Sequence, residues 1–425
     1  MEKRKKMHYA WKVVIACIAI KVGSAGVTMA CMGNFVTPIV KELGCQVSEF
    51  TMFTSIEAIS MALLYTFAAK MLTTKKIGLV VGIASVAEVT GVLMMSSYHS
   101  VYLFYLSGAI IGIAQAFTGF VAIPIIINMW FKKNAGTVLG VVVAVGSAAI
   151  VFYSLLSAQL ITAFGWRQAY LIMGIMAAVL TIPAVFFLLK SPEEAGCMPY
   201  GADEEPVHRE ERNSVSDGSS LTKKQAFAMP LLYIAWLACV FYSYGSGVQS
   251  YTTTFFTMEL GQSINAGSVV GVCASLGGIL SSLIIGKIND KHGVKAGLLW
   301  GAVTTAAGYL LIFMGYANPM FVFPSVFIVG LGSMMYTVQC PLLARKVVGD
   351  EHYAEIWARM MMINSLIGGG LYSSIGLFYD KLGTYQGAFV MAIVLYAAAW
   401  VLGSIAINSR DRQLREERKD RKLNL

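Results

Sequence analysis

Long apolar runs follow one another along almost the whole chain and constrain its fold more than any other feature. Twelve are present, near residues 12–38, 49–71, 77–97, 101–127, 136–163, 168–189, 227–257, 266–286, 294–315, 319–343, 355–379 and 385–408. Each matches the ~20 mostly apolar residues that a helix needs to cross a bilayer. Only 13% of the 425 residues are charged, whereas a soluble domain carries about 25%. The pattern predicts an all-α membrane protein with twelve transmembrane helices.

One hydrophilic stretch, residues 190–224, separates the first six runs from the last six. It contains Pro192, Pro199, Pro206 and an acidic cluster, a composition typical of a flexible linker. The expected organisation is a six-helix bundle over residues 1–189, a linker over 190–224, a second bundle over 225–409 and a basic tail over 410–425.

The basic residues indicate which ends of the spans face the cytoplasm. With the N-terminus placed inside, 28 of the 32 Lys and Arg residues fall on the inner side and three on the outer side. This asymmetry agrees with the positive-inside rule, so we expect a multi-pass protein of the cytoplasmic (inner) membrane with both termini in the cytoplasm. The net charge of +9 is then a topology signal and does not indicate a nucleic-acid partner. The basic tail is expected to lie beside anionic membrane lipid.

The two halves of the chain repeat each other at an offset of 218 residues. Gly165-Trp166-Arg167-Gln168-Ala169 follows the fifth run, and Gly383-Thr384-Tyr385-Gln386-Gly387 follows the eleventh. Two related membrane halves around a central site are a recurring carrier design, because one half can rock against the other. The repeat therefore predicts two pseudo-symmetric six-helix bundles.

Several motifs resemble the major facilitator superfamily. Between the eighth and ninth runs, Gly286-Lys287-Ile288-Asn289-Asp290-Lys291-His292-Gly293 resembles the loop signature of that superfamily. Asn128-Met129-Trp130-Phe131-Lys132-Lys133, Gly165-Trp166-Arg167 and Ser191-Pro192-Glu193-Glu194 are similar to segments of its monocarboxylate and oxalate/formate branch. The resemblance implies the major facilitator fold, and secondary transport of a small organic anion, such as a monocarboxylate, by alternating access.

Two departures from the pattern of that family narrow the range of substrates that we expect. Oxalate/formate carriers resemble one another in placing a basic residue deep in helices 8 and 11. Here the eighth run has no internal cation, and Arg359 lies close to the predicted cytoplasmic end of the eleventh. Gly112-Ile113-Ala114-Gln115 stands where proton-driven drug exporters have an arginine-containing signature. Oxalate transport and drug export are both disfavoured.

Lys21 is the basic residue that lies near the middle of a predicted span. A charge at that depth costs ~2.5–3.5 kcal/mol on insertion scales, so it is expected to face a cavity or a partner. Lys21 shares a helical face with Ser24 and Thr28. Two interpretations stay open: Lys21 binds the negative group of the substrate, or it forms a structural ion pair with Glu57 or Glu88.

Glu57 and Glu88 lie at a comparable depth, in the second and third runs. Desolvation favours a neutral carboxyl group, whereas nearby Lys21 favours the charged form. Glu57 is therefore the leading candidate for loading and releasing a coupling proton, with a fixed counter-ion as the alternative. For Glu88 a structural hydrogen-bonding role is favoured, because the third helix is peripheral in the fold that the chain resembles.

Uncharged polar residues complete the candidate substrate site. The seventh run is unusually polar, and Tyr242, Gly245 and Gln249 fall on one of its faces. The candidate substrate-binding residues are Lys21, Gln115, Tyr153, Tyr242, Gln249, Tyr336, Gln339 and Asn364. Each neutral residue of this set is also compatible with hydrogen bonding between helices.

The motif between the eighth and ninth runs is a candidate gating loop, represented by Gly286, Asp290, Lys291 and Gly293. Asp290 can accept hydrogen bonds from a helix N-terminus or pair with Lys291, which would hold a cytoplasmic gate in one state. A cluster of charges that only stops translocation is the alternative.

The sequence contains no ATP-binding motif, no nucleophile–base pair and no metal-ligand cluster, which disfavours an ATP-driven pump and an enzyme. We expect a monomeric symporter or antiporter that needs no cofactor or metal and has the proton as its candidate coupling ion. An efflux carrier for amphipathic or drug-like compounds and a non-transporting membrane sensor are the rival functions.

Overall fold

The computed structural model describes residues 8–28, 34–45, 47–73, 76–202 and 227–423. Within these residues, ten helices are long and apolar enough to cross a membrane. One of them, Ala135–Leu188, contains two spans, because Gly165 interrupts it with φ 79° and ψ 164°. Glycine adopts such a positive φ without the steric cost of a Cβ atom. With the 30-residue helix Tyr353–Leu382, the described residues contain the twelve predicted spans.

The membrane helices are named α1 to α12 in chain order. Their bounds are α1 Tyr9–Thr28, α2 Val47–Leu72, α3 Ile77–Met95, α4 Val101–Trp130, α5 135–164, α6 166–188, α7 Pro230–Glu259, α8 Ile264–His292, α9 Val294–Tyr316, α10 Pro319–Val348, α11 Tyr353–Leu382 and α12 Gln386–Leu423. A short helix, Val36–Leu43, lies between α1 and α2. Helix α12 continues to Leu423, so most of the basic tail is helical.

The chain divides into two compact units. The first consists of Met1–Val138, Val145–Val207 and Met361–Ser365, and the second of Leu139–Ala144, His208–Met360 and Leu366–Leu425. The predicted linker falls largely on residues 203–226, which lie outside the described residues. The domain boundaries drawn from its composition therefore stay a prediction.

Equivalent pairs of helices pack together inside each unit. In the first unit α4 packs on α2 and α3, and in the second unit α10 packs on α8 and α9. Helix α1 approaches α6 at Gly23, which faces Thr181, and α7 packs on α12. The same pairs recur six helices later, which is the pseudo-symmetry that the repeated loops predict.

Each unit has an aromatic core and an apolar outer surface. Phe53, Phe104 and Trp166 belong to the core of the first unit, and Phe255 and Phe389 belong to that of the second. Large apolar side chains on the outside are strongly exposed, for example Leu63 at 62% and Phe187 at 76%. Lipid solvates such side chains, so this exposure fits a membrane-spanning chain.

Two glycines allow α2 and α4 to approach closely. Gly108 faces the backbone of Phe53, and Gly112 faces the backbone of Glu57, so that even a methyl group at Gly112 would overlap the α2 backbone. Small residues four positions apart let transmembrane helices pack through their backbones. This contact fixes the position of Glu57 relative to α4.

The segment after α6 folds back onto the end of α4. Ser191 and Glu194 exchange side-chain and backbone hydrogen bonds of 3.0 and 3.2 Å at the start of the short helix Pro192–Ala195. The Tyr200 N–H then donates to the Trp130 carbonyl at 2.7 Å, and the Lys132 N–H donates to the Tyr200 carbonyl at 3.0 Å. These contacts hold the segment 191–201 against residues 128–133, so both motifs contribute to one tertiary contact.

We predict that Gly112→Ala destabilises the protein by about 1–3 kcal/mol, because the added methyl group overpacks the contact between α2 and α4. The measurement is thermal unfolding of the purified protein in detergent. Ile113→Val is the control, since Ile113 is exposed on the neighbouring position of α4. Equal melting temperatures for Gly112→Ala and the unmodified chain would contradict the packing described here.

Candidate functional site

Helix α1 contains a turn of π-helix over Ile20–Ala25, which carries Lys21 and Ser24. Such turns are uncommon and often occur at functional sites, because they displace side chains and free backbone groups. The Thr181 hydroxyl of α6 donates to the Ala19 carbonyl at 3.2 Å and so supports the start of this turn. No periodicity in the apolar run predicts this local change of winding.

Lys21 is half-buried, and its ammonium group lies over the ring of Phe120 at 4.8 Å from the centroid. Its methylene chain packs on α5, where a Cβ atom at Gly146 would lie 3.1 Å from the Lys21 Cβ. Among the described residues, no carboxylate lies within the 4.0 Å of an ion pair with Lys21. Glu88 acts on Lys21 electrostatically over a longer distance. The ammonium is thus held by an aromatic ring, and its N–H groups can donate to an anion.

Glu88 lies at the centre of a hydrogen-bonded cluster formed by α1, α3 and α4. It is fully buried and accepts a hydrogen bond from the Ser24 hydroxyl. It also accepts from the Thr118 hydroxyl at 2.8 Å and from the Thr28 hydroxyl at 3.4 Å. A buried carboxylate needs several donors to replace water, and these hydroxyl groups supply them.

Gln115 extends the cluster around Glu88. Its amide N–H donates to the Thr28 hydroxyl at 3.1 Å, and the Thr28 hydroxyl in turn donates to Glu88. Glu57 is 4% exposed and lies on α2, opposite Gly112. Ser24, Thr28, Glu57, Glu88, Gln115 and Thr118 are called the carboxyl cluster below.

The carboxyl cluster and Lys21 together contain two acidic groups and one basic group. If both carboxyl groups are ionised, one negative charge has no counter-charge within this set. An uncompensated buried charge costs several kcal/mol, so the arrangement can bind a proton or another small cation. Because Lys21 has no directly bonded carboxylate among the described residues, it can also attract an anion.

The other predicted binding residues occupy several environments. Tyr153 is buried in the core of the first unit, beside Gly26 of α1. In the second unit Tyr242 is buried with its ring edge-on to Tyr396 at 4.9 Å, and its hydroxyl has no hydrogen-bond partner among the described residues. Gln249 and Tyr336 are half-buried, and Asn364 is buried on α11.

Gln339 lies next to the predicted gating loop. Its side-chain N–H donates to the Val294 carbonyl at 2.6 Å, and its side-chain carbonyl accepts from the Asn289 amide at 2.7 Å. These bonds join α10 to the turn between α8 and α9. In that turn α8 ends at His292, and the Gly293 N–H donates to the Asn289 carbonyl at 2.9 Å. Within the loop Gly286 is buried, Asp290 is half-buried and Lys291 is exposed.

Sequence reasoning did not single out Thr118, Phe120 and Asn289. Thr118 and Phe120 lie at a break in α4, between Thr118 and Ala122. The signal available in the sequence was Gly119, an isolated glycine within an apolar run. The pairing of Asn289 with Gln339 joins residues fifty positions apart, and no local pattern indicates it.

The family follows from the comparison with known proteins. The sequence model of the Major Facilitator Superfamily matches residues 18–280 and 256–424. The chain belongs to this superfamily. Its fold is that of solved transporters, and it is accordingly a multi-pass membrane transporter and not an enzyme.

Two solved members illustrate the likeness. A proton:xylose symporter superimposes with a TM-score of 0.71 at 12% identity, covering 94% of this chain and 95% of that chain. The superfamily transporter FucP, solved in an outward conformation, gives a TM-score of 0.69 at 10% identity, with 94% and 99% coverage. At these identities the likeness establishes the fold alone.

Curated relatives match only part of the chain. A glucose-6-phosphate exchanger of Xenopus laevis is 29% identical over 125 residues, which are 29% of this chain and 25% of the relative. A putative glycerol-3-phosphate transporter of Arabidopsis thaliana is 26% identical over 153 residues, which are 36% of this chain and 26% of the relative. The chain therefore matches about a quarter of the length of these relatives.

We predict that Thr118→Val destabilises the protein by about 1.5–3 kcal/mol, because the buried carboxylate of Glu88 loses the hydrogen bond that Thr118 donates to it. Thermal unfolding in detergent measures the change. Thr90→Val is the matched control, because its hydroxyl is exposed and bonds only to the Val86 carbonyl of its own helix, at 2.7 Å. If both variants melt at the same temperature, Thr118 does not support the cluster.

Proposed function

We propose that this transporter carries a small organic monoanion, such as a monocarboxylate, together with a proton by alternating access. The observation that carries the proposal is the position of Lys21 at a π-helical turn within the membrane. Its ammonium faces an aromatic ring and has no bonded carboxylate among the described residues. A cation at this depth is costly unless it serves a partner or a pathway.

The number of charges favours a monoanion. Among the described residues, Lys21 is the Lys or Arg residue near the middle of a predicted span, while the others lie toward the ends of spans or in the basic stretch that follows residue 409. One ammonium group balances one carboxylate. Phosphate monoesters carry about −1.5 to −2 charges at pH 7 and would leave part of their charge unpaired.

The carboxyl cluster supports coupling to a proton. An anion that binds beside Lys21 increases the negative charge near Glu57 and Glu88, and one protonation event restores the balance. Glu88 is bonded by three hydroxyl groups, which favours its ionised form, whereas Glu57 is buried where α2 packs against Gly112 of α4. Glu57 is therefore our candidate for the coupling proton, and Glu88 for the fixed counter-charge of Lys21.

The remaining parts of the proposal come from the sequence. Gln115, Tyr153, Tyr242, Gln249, Tyr336 and Asn364 are the neutral residues proposed to contact the substrate. We assign Gln339 to the support of the gating loop, because its amide already bonds to Asn289 and Val294. The protein is proposed to act as a monomer in the cytoplasmic membrane, with both termini in the cytoplasm.

An organic phosphate is the second candidate substrate. The names of the two curated relatives specify glucose 6-phosphate and glycerol 3-phosphate. Both substrates are small organic anions, so Lys21 would serve them as well, with a second basic group required for the extra charge.

Our third prediction is that Lys21→Gln weakens uptake of short monocarboxylates into proteoliposomes at least about tenfold, the loss expected for one hydrogen bond to a charged group. The assay compares a monocarboxylate, glycerol 3-phosphate, xylose and a cationic dye. Lys12→Gln is the control, because Lys12 is exposed near the start of α1. Unchanged monocarboxylate uptake by Lys21→Gln, or transport of the dye alone, would contradict the proposal.

A fourth prediction concerns coupling. Glu57→Gln imitates the neutral carboxyl group, so it is expected to keep substrate exchange at equal concentrations but to lose accumulation driven by a pH gradient. The control is Glu49→Gln, since Glu49 is exposed in the first turn of α2. Full gradient-driven accumulation by Glu57→Gln would exclude Glu57 as the proton carrier.

A further inference from the structure

The repeated loops of the two halves each bind a glutamate of their own unit. In the first unit, Glu42 of the short helix Val36–Leu43 accepts a hydrogen bond from the Trp166 indole N–H at 2.5 Å and pairs with Arg167 at 3.2 Å. Arg167 also donates to the Tyr98 carbonyl at 2.9 Å. One carboxylate thus connects the segment after α1 with the turns between α3 and α4 and between α5 and α6.

The second unit has an equivalent glutamate with different donors. Glu259, at the end of α7, accepts from the Thr384 hydroxyl at 2.5 Å and from the Tyr385 backbone N–H at 2.9 Å. It also accepts a hydrogen bond from the Tyr316 hydroxyl. This carboxylate connects the end of α7 with the turns between α9 and α10 and between α11 and α12.

The two sites correspond through the internal repeat. Tyr98 and Tyr316, Trp166 and Thr384, and Arg167 and Tyr385 are each separated by 218 positions, and Glu42 and Glu259 by 217. An indole and a guanidinium group in one unit are replaced by a hydroxyl and a backbone N–H in the other. The donor groups differ between the two units, whereas the carboxylate and its position in the repeat are the same. The feature that the units share is therefore a carboxylate that joins two turns.

The burial of Trp166 separates its bond to Glu42 from an ordinary surface ion pair. An exposed ion pair contributes little because water and salt screen it, and the Arg167–Glu42 pair is partly exposed. The Trp166 side chain, however, is buried and belongs to the core of the first unit. Its N–H bond to an ionised carboxylate is of the charge-assisted type, about twice as strong as a neutral one.

We propose that Glu42 and Glu259 are positioning residues for the transport cycle. Glu42 fixes the short helix that follows α1, and Glu259 fixes the end of α7, to two turns of the same unit. As a result the short helix Val36–Leu43, and α7 with its polar face at Tyr242 to Gln249, move with the rest of their units. This role rests on the proposed transport function, and neither glutamate contacts the substrate.

The experiment measures hydrogen–deuterium exchange and uptake in the full-length protein with Glu42→Gln or Glu259→Gln. Loss of one charge-assisted bond is expected to speed amide exchange about tenfold. In Glu42→Gln the faster exchange should appear near residues 96–100 and 164–168, with residues 314–318 and 382–387 unchanged. Glu259→Gln should give the reverse pattern. In both variants the maximal uptake rate should fall, with the half-saturating substrate concentration unchanged.

Lys41→Gln is the matched control, because Lys41 neighbours Glu42 and is exposed. Trp166→Phe keeps an aromatic ring but removes the indole N–H together with part of a buried ring, and it should speed exchange at the same residues as Glu42→Gln. Unchanged exchange in both glutamate variants, or a raised half-saturating concentration at an unchanged maximal rate, would overturn the proposal. The exchange pattern does not depend on the substrate class. This test can therefore fail or succeed independently of the monoanion proposal.

Discussion

The cost of burying charge in a membrane is the constraint on which the first unit depends. Lys21, Glu57 and Glu88 lie within helices whose outer faces are apolar, so each must obtain from the protein what water would otherwise provide. Glu88 obtains it from hydroxyl groups on α1 and α4, and Lys21 from the ring of Phe120. If both carboxyl groups are ionised, they exceed the one ammonium by a negative charge, and the proposed coupling of an anion to a proton rests on this excess.

Close helix packing makes this arrangement possible. Gly108 and Gly112 bring the backbones of α2 and α4 together, which places Glu57 beside Gln115, and the π-helical turn of α1 carries Lys21 and Ser24. The same pairs of helices pack in the second unit, yet there Tyr242 and Tyr309 are buried without ionised partners, their hydroxyls unbonded within the described chain. The shared fold thus supports buried carboxyl groups in the first unit and buried, unbonded tyrosine hydroxyls in the second.

The spans and their pseudo-symmetry could be predicted from the sequence, because hydrophobic length and repeated loops are local signals. The depth of Lys21, Glu57 and Glu88 in the membrane could also be predicted, since it depends only on the position of each residue within an apolar run. Their partners were not: the bonds from Ser24 and Thr118 to Glu88 and from Asn289 to Gln339 join distant positions. The contacts of Glu42 and Glu259 could not be predicted for the same reason, although the loops that bind them form a repeat in the sequence.

Proton linkage of substrate binding tests the central claim most directly. Titration calorimetry of a short monocarboxylate into the purified protein, in two buffers of different ionisation enthalpy, gives the number of protons exchanged on binding. Because the anion adds negative charge beside a site that already has an excess, the account predicts uptake of about one proton per anion bound. Anion binding with no proton uptake would contradict it.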